Sequence, residues 1–133
     1  MLCRSSQIQF LGPRSASELY KDLDVVVLTS FSEGQPLVIL EAYAAGLPVI
    51  ASDVGACREM IEGRSADRHL GPSGLVTHVA TPGDTAMALV RLARDPQLRR
   101  SMGAAGRRRV LGFYRRQDMI DSYRNIYREL VLP

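Results

Sequence analysis

Short runs of aliphatic and β-branched residues alternate with stretches of helical periodicity along this chain, and no other feature restricts its fold as strongly. The runs occupy residues 8–11, 25–29, 49–52 and 75–79. Strands that are separated by helices favour a parallel sheet covered by helices on both faces. We therefore predict an α/β fold class, with a parallel sheet of about four strands, helices on both faces and a helical C-terminal tail.

Six helical stretches are predicted, three between the strands and three after the last strand. They span residues 16–23, 37–45, 56–62, 83–94, 96–110 and 118–130. Gly46 can take the left-handed conformation that ends the second helix, and Asp95 can cap the fifth helix ahead of Pro96. Because residues 25–29 read VVVLT, we expect this strand to be covered on both faces.

The composition is that of one soluble globular domain. The chain has 133 residues, of which 46% are hydrophobic and 23% charged, and this excludes disordered and low-complexity classes. No apolar run is long enough to cross a bilayer or to form a secretory signal, so we expect a cytoplasmic protein. Two cysteines and two histidines share no metal-ligand spacing, so we expect no disulfide framework and no metal site. Cys57 is expected to pack at a helix start rather than to act as a nucleophile.

The basic residues are unevenly distributed. Residues 1–90 hold six basic and ten acidic side chains, whereas residues 91–133 hold eleven arginines and four acids. A basic tail suits nucleic acid, an anionic membrane surface or a solvated helix face. The arginines interleave with an apolar stripe at helical spacing, so we expect most of them to face water or to pair with acids, and we expect no nucleic acid. The clusters Arg107-Arg108-Arg109 and Arg115-Arg116 leave peripheral association with the inner membrane surface open.

The stretch that suggests chemistry is 29–45, which reads TSFSEGQPLVILEAYAA. A loop leaves the carboxyl end of a buried strand here and enters a helix at Pro36-Leu37. Ligands of open α/β sheets gather at such strand ends. The first N–H groups of a helix have no intrahelical partner and the helix dipole is positive there, so the backbone of residues 34–38 is suited to a phosphate.

Two carboxylates flank this backbone, Glu33 in the loop and Glu41 one turn inside the helix. A carboxylate can accept paired hydrogen bonds from vicinal hydroxyls. An anion at the helix end with a diol on either side matches a sugar joined through a diphosphate to a nucleoside. The residues alone leave open the alternative that Glu33 caps the helix and Glu41 is a solvated helix residue.

The segment SEGQPLVILEAYAAGLPVIASDVGACREMI resembles the signature of the group 1 (family 4) retaining glycosyltransferases, which have the GT-B fold. The shared features are two glutamates eight positions apart, an E-A-x-A-x-G-x-P-V-I segment over residues 41–50, and a small-residue loop after the next strand. Weaker similarity covers nearly the whole chain, including the closing Y-R-x-x-Y-x-x-L pattern over residues 123–130. Tyr43 stands where this family often has methionine, and we expect only a packing change.

The resemblance implies that residues 1–133 form one domain, an incomplete, Rossmann-like, nucleotide-sugar-binding half of a GT-B enzyme. Glu33 would contact donor-sugar hydroxyls at the transfer site as the catalytic residue, and Glu41 would hold the ribose diol. The remaining donor-binding residues implied are Ser30, Ser32, Gly34, Gln35, Pro36, Leu37 and Val38. Such enzymes need no metal or cofactor, because a helix dipole and basic side chains stabilise the departing diphosphate. The donor would be a UDP-sugar used in polysaccharide or glycoconjugate synthesis.

The resemblance covers only the later part of the C-terminal half of such an enzyme. We expect the acceptor domain to be absent, together with the Gly-Arg-x-x-x-x-Lys segment that serves the diphosphate, so that the chain alone binds donor weakly and transfers nothing. The strand at 25–29 would lose a neighbour, and an unpaired apolar edge invites a homodimer or a swapped arrangement. The alternative function is a non-catalytic fragment or subunit that binds a partner, such as the other half of a split glycosyltransferase.

Overall fold

The computed structural model describes residues 7–131, and these residues form three strands and six α-helices. The strands are β1 (Val26–Leu28), β2 (Val49–Ser52) and β3 (Gly74–Thr77). The helices are α1 (Ala16–Leu19), α2 (Leu37–Ala44), α3 (Cys57–Glu62), α4 (Pro82–Arg94), α5 (Pro96–Phe113) and α6 (Arg116–Val131). Two 3-10 turns complete the list, Tyr20–Asp22 directly after α1 and Arg68–Leu70 before β3.

The three strands form one parallel sheet in the order β1-β2-β3. Val26 pairs with Val49, and Val49 pairs in turn with Gly74. The central strand β2 is buried along its whole length. The predicted α/β class, with a parallel sheet and a helical C-terminal tail, is confirmed.

The sheet has a core on each face, because side chains alternate along a strand. Val49 and Ala51 of β2 point into a core with α2 and α3. Ile50, between them, points into a second core formed with Ala88 and Leu92 of α4 and with α5. The predicted helices on both faces are therefore present, and the face of Ile50 is covered by α4.

The prediction of a strand at residues 8–11 is wrong. This segment is irregular, and its side chains are exposed, with Phe10 78% accessible. A strand needs a neighbour for its backbone N–H and C=O groups, and within residues 7–131 β1 pairs only with β2. The expected sheet of about four strands is therefore one of three in the described part of the chain.

β1 consequently lies at an edge of the sheet. Val26 is buried beneath α2, as predicted, but Val27 on the opposite face is 40% exposed. The second core contains Val25 but not Val27. The expectation that residues 25–29 are covered on both faces holds at Val26 and fails at Val27.

The helix limits follow the predicted signals closely. Gly46 takes the positive φ of +77° that ends α2, and the N–H of Leu98 donates to Oδ1 of Asp95 at 2.8 Å at the start of α5. The first helix is shorter than expected, because it tightens into a 3-10 turn at Tyr20. Among the described residues, no helix has both the length and the apolar character to cross a membrane.

A buried polar network ties α5 to α2. Arg109 is fully buried, and its Nε donates to Oδ2 of Asp67 at 2.7 Å while Nη1 donates to Oγ of Ser73 at 2.7 Å. Ser73 donates to the hydroxyl of Tyr43 at 2.5 Å, and Tyr43 donates to the carbonyl of Met60 at 3.0 Å. Arg109 thus pairs with an acid, which is one of the two predicted roles for the tail arginines, but it does so in the interior and not at the surface. Tyr43 does more than pack.

Candidate functional site

The turn between β1 and α2 brings the backbone of residues 34–38 to the carboxyl edge of the sheet. Pro36 is buried, with φ −69° and ψ 120°, and it is the N-cap of α2 rather than the first helical residue. Its carbonyl accepts from the N–H of Ile39 at 3.2 Å. The N–H groups of Leu37 and Val38 therefore precede the first helical hydrogen bond and are directed out of the positive end of α2.

A second loop, which follows β2, supports this turn. Gly55 has φ +51°, and a Cβ at this position would lie 1.9 Å from the carbonyl oxygen of Glu33. The next residue, Ala56, donates its N–H to the carbonyl of Gly34 at 2.9 Å. Gly55 is needed on two grounds, since L side chains rarely adopt this φ and no side chain fits beneath the turn. The sequence offered a signal, a glycine in the loop after β2, but no role was predicted for it.

Glu33 is half-buried and is held by the turn itself. Oγ of Ser30 donates to Oε1 of Glu33 at 2.7 Å. The carboxylate also acts on the start of α3, where burial raises the pKa of the Cys57 thiol and the negative charge of Glu33 raises it further. Cys57 is buried, which agrees with the predicted packing role. Ser32 is exposed at the surface of the turn.

Glu41 lies on the exposed face of α2 and contacts the segment after α1. The hydroxyl of Tyr20 donates to Oε2 of Glu41 at 2.9 Å. Burial, this hydrogen bond and the charge of Glu41 together raise the pKa of Tyr20 to about 12. Glu41 also lines a hollow of about 450 Å3 with Lys21 and small alanines of α1 and α2. Tyr20 and Lys21 were not predicted as site residues, since only the fold places them beside Glu41.

The predicted residues therefore form two groups around the start of α2. Ser30 and Glu33 contact each other beside the exposed backbone of Gly34 and Gln35. Glu41 belongs to the hollow at α1, which Glu33 does not line. The helix N-terminus lies between a carboxylate in the turn before it and a carboxylate one turn after it. This arrangement can hold an anion and can accept hydrogen bonds from hydroxyls on two sides.

Charged groups elsewhere in the described chain do not gather into a metal-binding set. Within residues 7–131, no group of three or more histidine, cysteine, aspartate or glutamate side chains is arranged to hold a metal ion. His78 is instead paired with Asp84, its Nδ1 lying 2.6 Å from Oδ2. The hydrogen bond from His78 lowers the pKa of Asp84 below its usual value.

Sequence comparisons identify relatives of one enzyme class. A family model described as glycosyl transferases group 1 matches residues 2–95. The chain is 38% identical over 99 residues to the D-inositol 3-phosphate glycosyltransferase of Corynebacterium jeikeium (strain K411), covering 72% of this chain and 22% of the relative. It is 31% identical over 126 residues to the N-acetyl-alpha-D-glucosaminyl L-malate synthase of Bacillus anthracis, covering 94% and 31%. The chain thus spans less than a third of either relative.

Solved structures agree with this class. The fold superposes on sucrose-phosphate synthase from Thermosynechococcus elongatus with a TM-score of 0.73 and 30% identity, over 84% of this chain and 26% of that one. It superposes on the C-terminal domain of a group 1 family glycosyl transferase (LpcC) from Francisella tularensis with a TM-score of 0.65 and 29% identity, over 82% and 53%. The chain belongs to the group 1 glycosyltransferases and carries part of the C-terminal region of their GT-B fold.

Proposed function

We propose that this chain is the incomplete donor-binding half of a retaining GT-B glycosyltransferase and that the β1–α2 turn binds a nucleotide diphosphate sugar, specifically a UDP-sugar. One observation carries the proposal. The positive start of α2 opens at the carboxyl edge of a parallel sheet, with Glu33 before it and Glu41 after it. A phosphate group and two sets of hydroxyls match these three features.

The diphosphate would be bound by the backbone. The N–H groups of Gly34, Gln35, Leu37 and Val38 are the donors in reach of an anion at the start of α2, and Pro36 has no N–H to offer. A preorganised helix end stabilises the negative charge that develops on a departing diphosphate. We propose that transfer requires no metal, because the helix end supplies this stabilisation. We propose no other cofactor either; the nucleotide sugar itself is a substrate.

The two glutamates would have different partners. Glu33, whose carboxylate is oriented by Ser30, would accept hydrogen bonds from the donor sugar at the transfer site, with Ser32 adding a hydroxyl contact. Glu41 would accept from the ribose diol. Tyr20 occupies Oε2 of Glu41 and leaves Oε1 without a hydrogen bond from any described residue, so the carboxylate is oriented and still able to accept.

The biosynthetic role is proposed from a sequence resemblance. The two relatives described above are named for different acceptors, D-inositol 3-phosphate in one and L-malate in the other. The segment GQPLVILEA, followed by DVGACREMI, resembles the sequence of the cytoplasmic transferase of the Pel exopolysaccharide system. We therefore propose a cytoplasmic role in exopolysaccharide synthesis. Because the chain spans so little of its relatives, transfer would require an acceptor domain in a longer protein or in a partner chain.

Calorimetric titration tests donor binding. The full chain would be titrated with UDP, UDP-glucose and uridine, alongside Glu41→Gln and a control, Glu59→Gln, which alters an exposed glutamate of α3. We expect millimolar binding of UDP and UDP-glucose, weaker binding of uridine, and a loss of about tenfold in Glu41→Gln, which is roughly 1.4 kcal/mol. Equal affinities in Glu41→Gln and Glu59→Gln would contradict the assignment of Glu41.

A second function is favoured by the exposed edge of the sheet. β1 has no partner among the described residues on its outer side, and Val27 is exposed there. The α6 helix also exposes Tyr123, Tyr127 and Leu130 along one stripe. These surfaces suit a non-catalytic fragment that binds a partner chain, a second copy of itself or a membrane surface. If neither UDP nor UDP-glucose binds at millimolar concentration, this function is favoured over donor binding.

A further inference from the structure

A hollow of about 400 Å3 opens at the carboxyl ends of the three strands, on the side of the sheet that α4 covers. We call it the strand-end hollow. It is lined chiefly by Thr29, Phe31, Ser52, His78, Thr81 and Thr85. None of these residues belongs to the backbone of residues 34–38 or to the hollow beside Glu41, although Thr29 and Phe31 lie earlier in the β1–α2 turn. None was assigned a role above apart from the pairing of His78 with Asp84.

The alternation of side chains along the strands explains why hydroxyls gather here. Ile50 of β2 faces α4, so Ser52, two residues on, faces α4 as well. Val25 also faces α4, and Thr29 lies on the same side four residues later. The start of α4 then contributes Thr81 and Thr85 from the opposite wall.

The hydroxyl of Ser52 is available to a ligand in the hollow. Ser52 is only 3% exposed, yet no described residue hydrogen-bonds to its side chain. Among the described residues, no fully enclosed side-chain oxygen or nitrogen lacks a partner, so the Ser52 hydroxyl has to reach solvent through the hollow. Thr29 and Thr85 likewise form no side-chain hydrogen bond with a described residue. The hollow therefore offers three hydroxyls that can still donate and accept.

Apolar side chains line the hollow as well. Phe31 is 76% exposed, and Leu89 of α4 contributes a partly exposed aliphatic side chain. Phe31 belongs to the same turn as Glu33, and it lies between Glu33 and Ser30, whose hydroxyl donates to the Glu33 carboxylate. A ligand in the hollow would therefore lie next to the turn proposed to bind the donor.

The rim of the hollow is fixed in place. Asp84 accepts from the backbone N–H of His78 at 3.4 Å and lies 2.6 Å from Nδ1 of the same residue. Between them, Ala80 adopts φ +55°, a left-handed conformation that is unfavourable for a residue with a Cβ. The Asp84 carboxylate is thus already engaged by His78, and no lysine or arginine is among the described residues that line the hollow, which favours an uncharged ligand over an anion.

We propose that the strand-end hollow binds a pyranose ring, with its apolar face on Phe31 and Leu89 and its hydroxyls on Ser52, Thr29 and Thr85. Small-molecule sites combine apolar walls with a few placed polar groups in this way. The ring could belong to the donor sugar or to a saccharide acceptor, and the chemistry of the site is the same for both. Only the choice between these two sources rests on the proposed function.

Amide chemical shifts of the full chain, titrated separately with methyl α-D-glucopyranoside, maltose, UDP and UDP-glucose, test the proposal. We expect the two saccharides to produce saturable shifts at Thr29, Phe31, Ser52 and Thr85. Phe31→Ala should weaken this binding at least about fivefold, which is roughly 1 kcal/mol. Phe10→Ala, a change of an equally exposed phenylalanine outside the hollow, should leave it unchanged.

The ligands distinguish the two sources. If UDP-glucose shifts the hollow and UDP does not, the hollow holds the donor sugar; if only maltose and the glucoside reach it, it holds an acceptor. Absence of saccharide shifts at 50 mM (a concentration chosen for roughly millimolar binding), or saturable shifts elsewhere that Phe31→Ala leaves intact, would overturn the proposal. Failure of UDP to bind, with saccharide shifts present, would overturn donor binding and leave the pyranose site standing.

Discussion

At the scale of single residues, the position of the β1–α2 turn depends on Gly55 having no side chain. The turn that carries Glu33 rests directly on this glycine, whose φ is +51°. The carbonyl of Gly34 is held by the following residue, Ala56. The position of the β1–α2 turn is therefore set by a residue outside the turn, in the loop after β2.

Replacing Gly55 with alanine should displace the turn. The new Cβ meets backbone atoms of Glu33 and Gly34, and the positive φ adds a strain of about 1–2 kcal/mol. We expect a loss of at least 1–2 kcal/mol in the free energy of unfolding, measured in urea, and weaker UDP binding. Gly83→Ala is the control, because a Cβ there meets nothing within 4 Å and the φ is ordinary. Equal UDP affinity in the two variants would show that Gly55 does not position the turn.

Arg109 should be the most important charged residue for stability. It is fully buried with its guanidinium on Asp67, and removing one member of a buried pair typically costs about 3–5 kcal/mol. Arg109→Ala should therefore lower the free energy of unfolding by that amount, whereas Arg107→Ala, an exposed neighbour, should change it by less than about 0.5 kcal/mol. Similar urea midpoints for both variants would contradict the role of the network.

The sequence could not have predicted these residue-scale features. Arg109 reads as one of three consecutive arginines on a helix, and its partner Asp67 lies 42 positions away. Tyr43 reads as a substitution for methionine, yet its hydroxyl bonds to Ser73, 30 positions away. Burial of a polar group depends on partners that only the tertiary fold brings close. The position of the β1–α2 turn could be predicted, because the Gly34-Gln35-Pro36 signal ahead of α2 is local.

At the scale of elements, α2 is positioned between α1 and α5. The hydroxyl of Tyr20, in the 3-10 turn after α1, reaches Glu41 on the exposed face of α2. On its other side, Tyr43 packs against α5, where Gly106 leaves room for the ring because a Cβ would lie 2.6 Å from Cδ1. Both contacts fix the helix whose N-terminus is the proposed anion site.

The Tyr20 contact makes stability depend on alkaline pH. Folding raises the pKa of Tyr20 from 10.0 to about 12, so its contribution is fully present below pH 10 and is lost as the pH rises toward 12. We expect the free energy of unfolding to fall across this range, and to fall less steeply in Tyr20→Phe. Urea unfolding at a series of pH values measures both slopes. An unchanged slope in Tyr20→Phe would contradict the raised pKa of Tyr20, which burial, the hydrogen bond to Glu41 and the charge of Glu41 produce together.

The edge strand makes a further element-scale prediction. We expect the unpaired side of β1 to form a homodimer, since an exposed apolar edge invites pairing. Val27→Lys should yield a monomer, whereas Val90→Lys, a control at an exposed valine of α4, should leave the dimer intact. Size-exclusion chromatography with light scattering measures the mass. A clean monomer for the unaltered chain across micromolar concentrations would count against the dimer.

The same edge shows where strand prediction from sequence ends. Residues 8–11 (IQFL) and 49–52 (VIAS) are both predicted as strands, yet only the second run forms one. Val49 has partners on both sides, Val26 and Gly74, whereas no described strand is available to residues 8–11. A pattern indicates that a segment can form a strand, and a neighbour decides whether it does.

At the scale of the whole molecule, the proposed anion site at the start of α2 and the strand-end hollow on the α4 side both lie at the carboxyl edge of the sheet. The parallel order β1-β2-β3 brings these two together, because the loops that follow parallel strands emerge at one edge. The hollow of Glu41 lies apart from them, between α1 and the C-terminal half of α2. The alternation of strands and helices was sufficient to predict this edge, while the hollows required the packing of α1 and α4.

The most direct test of donor binding is the map of amide shifts that UDP produces on the isotopically labelled chain. We expect the largest shifts at Gly34, Gln35, Leu37 and Val38, with a second group at Glu41, and the same apparent affinity at both. Saturable shifts confined to α4 or α6, with the amides of the β1–α2 turn unchanged, would contradict nucleotide binding at the start of α2.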